Sequence, residues 1–344
     1  MDIKKKVTLQ DIADMAGVSR NTVSKILNGR YTGSVHTKNL VLKLMKENNY
    51  KGLGQMEDKE DQFDVKTILL LSHGELAKSG FFLPLVNEIQ RNVEFRGHTL
   101  MFYGIGQEEL DRQQIPQVIT NHQVDGIMCI EIFHRQFIEK LVSCHIPTVF
   151  LEFHYDLWSI QGKYDVVLMN NEYPVRMLMN RMIGQGYTKI GFVGDFTHCR
   201  GFYERYQGYC NALRDHNIPP MPQFCINYAN SEGYGQEGKL RKCLQVMPNM
   251  PDVFVAANDS IAINLMYILQ EWGIKIPQEV QIISFDNIKE AVYVKPPLTT
   301  VNSDTEELSR NVVGCLFQRI TNPQRARNVV YVDSEVIYRQ STKR

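Results

Sequence analysis

The chain is predicted to be α/β: a small all-α helix-turn-helix headpiece followed by two doubly wound parallel-sheet subdomains. Three observations lead there. Residues 8–28 hold two helical stretches of apolar period joined at a glycine; residues 52–64 turn abruptly to glycine and acid; from Val65 onward short apolar runs alternate with helical segments. A periodicity near 3.6 marks amphipathic helices, and strand-length apolar runs spaced by helices mark βαβ units.

The first stretch runs Thr8 to Asn28. Leu9, Ile12, Ala13 and Ala16 fall on one helical face, and Thr8 followed three residues later by Asp11 fits a capping-box variant. Gly17 ends this helix. A second helix follows almost directly, with Ser19 as its N-cap and Val23, Ile26 and Leu27 as its buried side. Two helices and a tight turn make a helix-turn-helix, in which the second helix enters the DNA major groove. Arg20, Asn21 and Lys25 fall on the outward face and are the candidate base readers. Arg pairs bidentately with guanine and Asn with adenine, each good pair giving roughly 1–3 kcal/mol of discrimination. Thr8, Thr22, Ser24 and Asn28 suit phosphate oxygens, which fix register without reading sequence. A plain αα-hairpin has the same outline, but charge favours DNA. Residues 1–51 carry 10 Lys+Arg against 4 Asp+Glu, a net of +6, so the remaining residues carry 28 against 34, or −6. A net charge of zero hides a basic head.

At 43% hydrophobic and 22% charged over 344 residues, the composition is that of a folded chain long enough for two or three domains. No run approaches the roughly 18–20 apolar residues that span a bilayer, and the polar start Met-Asp-Ile-Lys-Lys-Lys lacks a signal peptide's apolar core. A cytoplasmic protein without membrane contact is expected. Seven scattered cysteines, never as Cys-x-x-Cys, read as reduced and mostly buried, and the nine histidines show no metal-ligand spacing. Neither a metal nor a cofactor is expected.

Strands are expected at Lys66–Leu71, Thr99–Tyr103, Gly126–Ile130 and Thr148–Leu151, with helices near Leu83–Arg96, Asp111–His122 and Arg135–Ser143. The rhythm repeats with strands near Val166–Met169, Ile190–Val193, Phe224–Tyr228, Val253–Ala256 and Val280–Phe285. Ligands of open α/β sheets collect beyond the carboxyl ends of strands. Ser72, His73, Glu152, Phe153, Asn258, Asp259 and Asp286 are therefore candidates, and carboxylates, amides and an aromatic face together suit a polyol. Gly233 to Gly238 satisfies Gly-x-Gly-x-x-Gly, but it lies deep in the second unit rather than in an opening βα turn, so a glycine-rich loop at a helix start is the better account. No nucleophile elbow or Walker loop occurs.

The Val7 to Ala13, Ala16 to Ser19 and Thr22 to Asn28 segments resemble the headpiece of the lactose repressor/galactose repressor family of bacterial regulators. Later landmarks extend the resemblance over nearly the whole chain: Val124-Asp125-Gly126-Ile127, Ile146-Pro147, Gly186-Tyr187, Ala257-Asn258-Asp259, Phe285-Asp286-Asn287, Pro297 to Val301, and Arg339 to Thr342. The resemblance implies that Arg20, Asn21 and Lys25 take base-reading positions. It also implies a third helix from about Ser34 to Asn48 with Leu40, Val41, Leu44 and Met45 inward, and a fold like periplasmic sugar-binding proteins. It divides the chain into a headpiece (1–51), a hinge (52–64) and an effector-binding and dimerisation region (65–344). Within that region, subdomain one would hold about 65–165 and 296–321, and subdomain two 166–295 and 322–344. Arg205, Asn258 and Asp286 match effector-holding positions, Glu152 and Phe153 more loosely, and Tyr234 more loosely still.

The hinge departs from the family. Its usual Pro-Asn and Ala-x-x-Leu are missing, and Glu57, Asp58, Glu60 and Asp61 would be repelled by phosphates. A hinge that does not insert into the minor groove, or inserts only Leu53 or Met56, is expected. The chain stops after Arg-Gln-Ser-Thr without a heptad tail, so a homodimer is expected. What the resemblance implies is a repressor that binds double-stranded operator DNA under control of a small carbohydrate-like effector. The alternative, an α/β sugar-binding protein or enzyme with an appended helical domain, fits poorly with the basic head and the missing catalytic constellation.

Overall fold

The computed structural model describes residues 7–27, 35–48, 50, 65–74, 80–156, 158–227 and 237–343. The expected hinge, Asn28, Tyr234 and most of the glycine-rich loop lie outside the described residues. The chain divides into two compact units, residues 1–67 with 91–100 and residues 68–90 with 101–344.

The first unit holds α1 (Leu9–Ala16), α2 (Arg20–Leu27) and α3 (Val35–Glu47). The start of α1 is a reciprocal cap: Asp11 N donates to Thr8 Oγ1 at 3.3 Å and Thr8 N donates to Asp11 Oδ2 at 2.7 Å. Gly17 stops it in the left-handed region (φ 64°), where lack of a Cβ removes the penalty. Ile12, Ala13, Val23, Ile26, Val41 and Met45 form the core, with Leu44 and Tyr50 packed against it. Each fully buried Val or Ile contributes about 1.5–3 kcal/mol, enough to hold three short helices that would not persist alone. Leu40, expected inward, is instead 36% exposed. Its neighbour Val41 takes the inward position.

The sheets are built from Thr67 onward, for the most part within the second unit. Along the chain come β1 (Thr67–His73), α4 (Phe82–Phe95), β2 (Thr99–Ile105), α5 (Gln107–Asp111), α6 (Gln117–Thr120), β3 (Gly126–Ile130), α7 (Arg135–Val142), β4 (Thr148–Leu151) and β5 (Asp165–Met169). Then follow α8 (Glu172–Gly184), β6 (Ile190–Val193), α9 (Arg200–Asp215), α10 (Glu237–Gln245), β7 (Val253–Ala256), α11 (Asp259–Glu271) and β8 (Gln281–Ile283). The chain closes with α12 (Glu290–Tyr293), β9 (Thr300–Ser303), α13 (Thr305–Thr321), β10 (Val329–Val332) and β11 (Ser334–Ile337).

One sheet has the order β10-β5-β4-β3-β1-β2 and a second the order β6-β7-β8, while β9 and β11 pair antiparallel. Every register among β1, β3, β4, β5 and β10 and among β6, β7 and β8 is parallel. Covered on both faces, the inner strands are continuous apolar runs rather than alternating ones. Helix α13 packs on β3, β4 and β5, and its Arg319 donates to Asp165 Oδ1 at 2.5 Å in the interior, where Arg325 also pairs with Asp165. Removing one member of such a buried pair strands a charge, at a cost of about 3–5 kcal/mol.

Several expected elements differ. Strand β5, expected in the second sheet, lies in the first, as does β10; Thr299, just before β9, bridges to Ile283 of the second sheet. Of the helix expected over Asp111–His122 only the short α6 forms, with α5 ending at Asp111, because Pro116 cannot continue a helix and Gln113 turns the chain at φ 53°. Over the described part of the strand expected at Phe224–Tyr228, residues 224–227, there is instead the end of a 3-10 turn, Pro222–Phe224, and one bridge from Ile226 to Val193. The carbonyl of Phe224 comes so near β6 that a Cβ on Gly191 would meet it at 2.3 Å. Strand β1 runs two residues further than expected, so Ser72 and His73 belong to it. All seven cysteines are free, three buried and four partly so. Among the described residues no helix is long and apolar enough to cross a membrane.

Candidate functional site

On α2, Ser19 Oγ accepts from Thr22 N at 3.1 Å and so caps the helix that carries the expected base readers. Arg20, Asn21 and Lys25 are all exposed, on the side away from Val23 and Ile26. Asn21 and Lys25, four residues apart, share a face, and Arg20 lies beside them. Among the expected phosphate contacts, Thr8 is exposed but closes the cap of α1, and the Thr22 hydroxyl pairs with Ser19 Oγ at 2.9 Å. Ser24 is half-buried.

The second candidate site is a cleft at the carboxyl ends of strands in both sheets. It is a cavity of about 50 Å3 whose wall includes Leu151 and Met169 at the ends of β4 and β5, with Glu152 just after. From the other side come Arg205 of α9, Asn258 before α11, and Asp286. Arg205 is the organising group. It is 2% exposed, its Nε donates to Asn171 Oδ1 at 3.0 Å, its Nη1 to the Ala257 carbonyl at 2.6 Å, and its Nη2 lies 3.3 Å from Asp286 Oδ1. The guanidinium sits 3.7 Å from the centre of the Phe285 ring, a cation–π contact in a desolvated setting.

Three acids here bind protons unusually tightly. Burial pushes the Asp286 carboxyl up to about 6, with Arg205 pulling the other way. Burial likewise lifts Glu152 up to about 7 against the same guanidinium, and lifts Asp259 up to about 7 with help from the charge of Asp286. Glu152 accepts from Gly201 N at 3.0 Å and from its neighbour Phe153 N at 3.2 Å. Asp259 accepts from Thr300 Oγ1 at 2.7 Å and from Ile288 N at 2.9 Å. Glu152 (φ 66°), Asp286 (φ 112°) and Asn287 (φ 54°) all hold backbone conformations that side-chain-bearing residues seldom take. Such positions cost about 1–3 kcal/mol each and concentrate at binding sites.

Four expected effector residues, Glu152, Arg205, Asn258 and Asp286, thus share one cavity wall. Asn258 is also the N-cap of α11, its Oδ1 accepting from Ile261 N at 2.9 Å, which leaves its amide nitrogen for other partners. Phe153 does not join them: it is completely buried, stacked on Tyr164 and edge-on to Phe150 in the core of the first sheet. Ser72 and His73 are absent from the wall; burial lowers the His73 imidazole below its usual range. Residues not anticipated complete the wall, including Phe81, Phe82, Phe133 and Phe202. Asn171, which orients Arg205, was also missed, although its place two residues past β5 satisfies the strand-end rule.

Comparison with known proteins finds matches in both parts of the chain. Residues 8–52 match the family described as "Bacterial regulatory proteins, lacI family", and residues 179–342 match "Periplasmic binding protein-like domain". The chain is 28% identical over 337 residues to the ribose operon repressor of Haemophilus influenzae, covering 97% of this chain and 98% of that one. It is 24% identical to the HTH-type transcriptional repressor PurR of Vibrio vulnificus, covering 98% and 99%. Among solved structures, a transcriptional regulator CelR–cellobiose complex superposes with a TM-score of 0.71 at 22% identity, over 97% of this chain and 99% of that chain. A regulator from Enterococcus faecium with bound ribose gives 0.66 at 21% identity, over 80% and 98%. With a lacI-family region over residues 8–52 and a periplasmic-binding-protein-like domain over residues 179–342, the chain belongs to the lactose repressor/galactose repressor family of bacterial regulators.

Proposed function

We propose that this regulator represses transcription as a cytoplasmic homodimer, with Arg20, Asn21 and Lys25 reading operator bases, and that a small carbohydrate-like effector in the cleft sets its operator affinity. On this reading residues 1–51 are the DNA-binding headpiece and residues 65–344 the effector-binding region. The observation that carries the effector assignment is the setting of Arg205: a buried guanidinium held on three sides, opening with Glu152, Asn258 and Asp286 onto a cavity with phenylalanine walls. Fixed donors and acceptors beside aromatic faces are what a polyol ring requires, and the relatives that name ribose and cellobiose are consistent with that class. Carboxyls raised to about 6 and 7 can also donate to a hydroxyl near neutral pH.

The cavity of about 50 Å3 holds only a few waters, at roughly 10–15 Å3 each, so a sugar ring must part the Phe81, Phe133 and Phe202 wall to enter. That movement gives the effector a way to favour one conformation, and differential affinity for two conformations is the only source of a switch. The test is operator affinity, on DNA selected from random sequence at fixed salt, across a panel of neutral sugars. One compound that shifts affinity about tenfold, and loses that effect in Arg205→Met, is the expected result; coupling of roughly 1–3 kcal/mol corresponds to such a shift. Tight operator binding that no sugar alters would overturn the effector assignment and leave the DNA-binding reading standing.

A further inference from the structure

Outside the cleft, the second unit has a larger hollow of about 360 Å3, where α8 meets the last residues of the chain. Arg181, Arg339 and Lys343 line it, with Tyr338, Gln340 and Thr342 as its other polar groups, and no carboxylate stands in its wall among the described residues. The three cations are held by neutral partners. The Arg181 guanidinium lies 4.3 Å over the Tyr338 ring, and its Nε is buried with no hydrogen-bond partner. Arg339 donates from Nη1 to the Leu298 carbonyl at 2.8 Å and from Nη2 to Asn287 Oδ1 at 2.6 Å. Lys343 is fixed through its backbone N, which donates to Gln281 Oε1 at 2.6 Å, while its ammonium lies 5.7 Å from the Tyr187 ring. Asp259, outside the wall, is the acid that acts electrostatically on Arg339.

We propose that this hollow is a second ligand site, distinct from the effector cleft, for a phosphorylated small molecule. Three cationic residues line one concavity that holds no carboxylate among the described residues, so an anion there would relieve their mutual repulsion, and the orphaned buried Arg181 Nε wants an acceptor. Two guanidiniums and an ammonium form the donor set that recognises a phosphoryl group, with the planar forks giving direction and the lysine a point charge. The volume falls within the roughly 300–1,000 Å3 of small-molecule sites, so the remainder of a phosphate monoester fits beside the phosphoryl group. A flat basic patch would suit a polyanion; a hollow of this size suits a metabolite. Arg339 also connects the hollow to the cleft, because its partner Asn287 adjoins Asp286. An anion that draws Arg339 toward it therefore alters the loop carrying Asp286, a regulatory step that rests on the cleft being the effector site.

The experiment is calorimetric titration of the full chain with inorganic phosphate, glucose 6-phosphate and glucose, for the native protein, Lys343→Met, the double variant Arg181→Met/Lys343→Met, and Arg205→Met. Both phosphate compounds are expected to bind the native chain, with affinity falling as salt rises, and to bind the double variant at least tenfold more weakly. Lys343 is exposed at the chain end, so its single variant, expected to lose about threefold or more, keeps the test valid if the double variant melts early. No phosphate binding, equal binding by native and variant chains, or loss confined to Arg205→Met would overturn the site. Repeating the titration of the cleft's sugar in saturating phosphate tests the connection: a change of at least twofold is expected. Unchanged sugar affinity would overturn the coupling alone, and a cleft that binds no sugar would overturn the effector reading while phosphate binding still reports on the hollow.

Discussion

Arg20, Asn21 and Lys25 stand exposed on α2, whereas Arg205 and Asn258 are buried in the cleft with Asp286 half-buried beside them, all tied to each other or to backbone. The headpiece presents its contacts to an outside partner that supplies the complementary groups. The cleft keeps its contacts satisfied in advance, through Asn171, the Ala257 carbonyl and the amide of Gly201. A substitution in the first set should therefore remove binding and leave stability alone. One in the second set should disturb both, because deleting a buried partner leaves another group unpaired.

The largest effect expected from this contrast is in the headpiece. Replacing Arg20 and Asn21 together with alanine removes two candidate base contacts worth roughly 1–3 kcal/mol each, or about thirtyfold or more in operator affinity. Melting should shift by no more than about 0.5 kcal/mol, since both side chains are exposed, and cleft ligands should bind as before. Electrophoretic mobility assays with operator and scrambled DNA check it. Weakening that is equal on both DNAs would make these residues phosphate contacts and break the distinction between reading and positioning.

How legible each region was follows from the same contrast. The headpiece is local: Thr8 with Asp11, Gly17, and Ser19 with Thr22 act within three or four residues, so caps and helix faces could be read from spacing. Only Leu40 was misplaced, where two adjacent apolar residues competed for one inward position. The cleft draws on residues 80 to 288, and no local pattern shows that the Phe81, Phe133 and Phe202 rings converge. The strand-end rule found Glu152, Asn258 and Asp286 because parallel strands point their carboxyl ends the same way. It failed at Phe153, which turns inward to stack on Tyr164. Proline marked two of the misread elements: Pro116 splits the α5–α6 stretch, and Pro222 opens the 3-10 turn in place of a strand start.

Next in size is a pH effect confined to the cleft. Glu152, with a usual value of 4.5, is held up at about 7 by burial. A carboxyl that binds its proton more tightly folded than unfolded stabilises the fold fully below the unfolded value, and that contribution is lost as pH rises through the folded one. Unfolding free energy should thus decline from about pH 4.5 toward pH 7, by about 1–3 kcal/mol for this group at 1.36 kcal/mol per pH unit. Glu152→Gln keeps an acceptor for Gly201 N and removes the charge, so it should flatten the curve. Denaturant titrations at pH 5, 6, 7 and 8 measure this; parallel curves for both proteins would mean that the carboxyl keeps its charge in the folded state.

The smallest expected effects concern two glycines that a sequence reader would treat alike, since both lie near the start of a helix. A Cβ on Gly201 would sit 2.2 Å from Glu152 Oε2 and 3.3 Å from Asn171 Oδ1, whereas one on Gly238 meets nothing within 4 Å. Glu152 cannot simply swing aside, because its carboxylate is bound to the amides of Gly201 and Phe153 and its backbone is held at φ 66°. Gly201→Ala should therefore destabilise by about 1–3 kcal/mol, as overpacking does, and should weaken sugar binding while sparing operator affinity measured without sugar. Gly238→Ala, in exposed helix, should stabilise by about 0.5–1 kcal/mol through helix propensity and leave both ligands alone. Thermal melts and sugar titrations of the two variants decide it. If Gly201→Ala binds sugar as the native chain does, Glu152 serves only to fasten α9 to the end of β4, and the effector is held by Arg205, Asn258 and Asp286 without it.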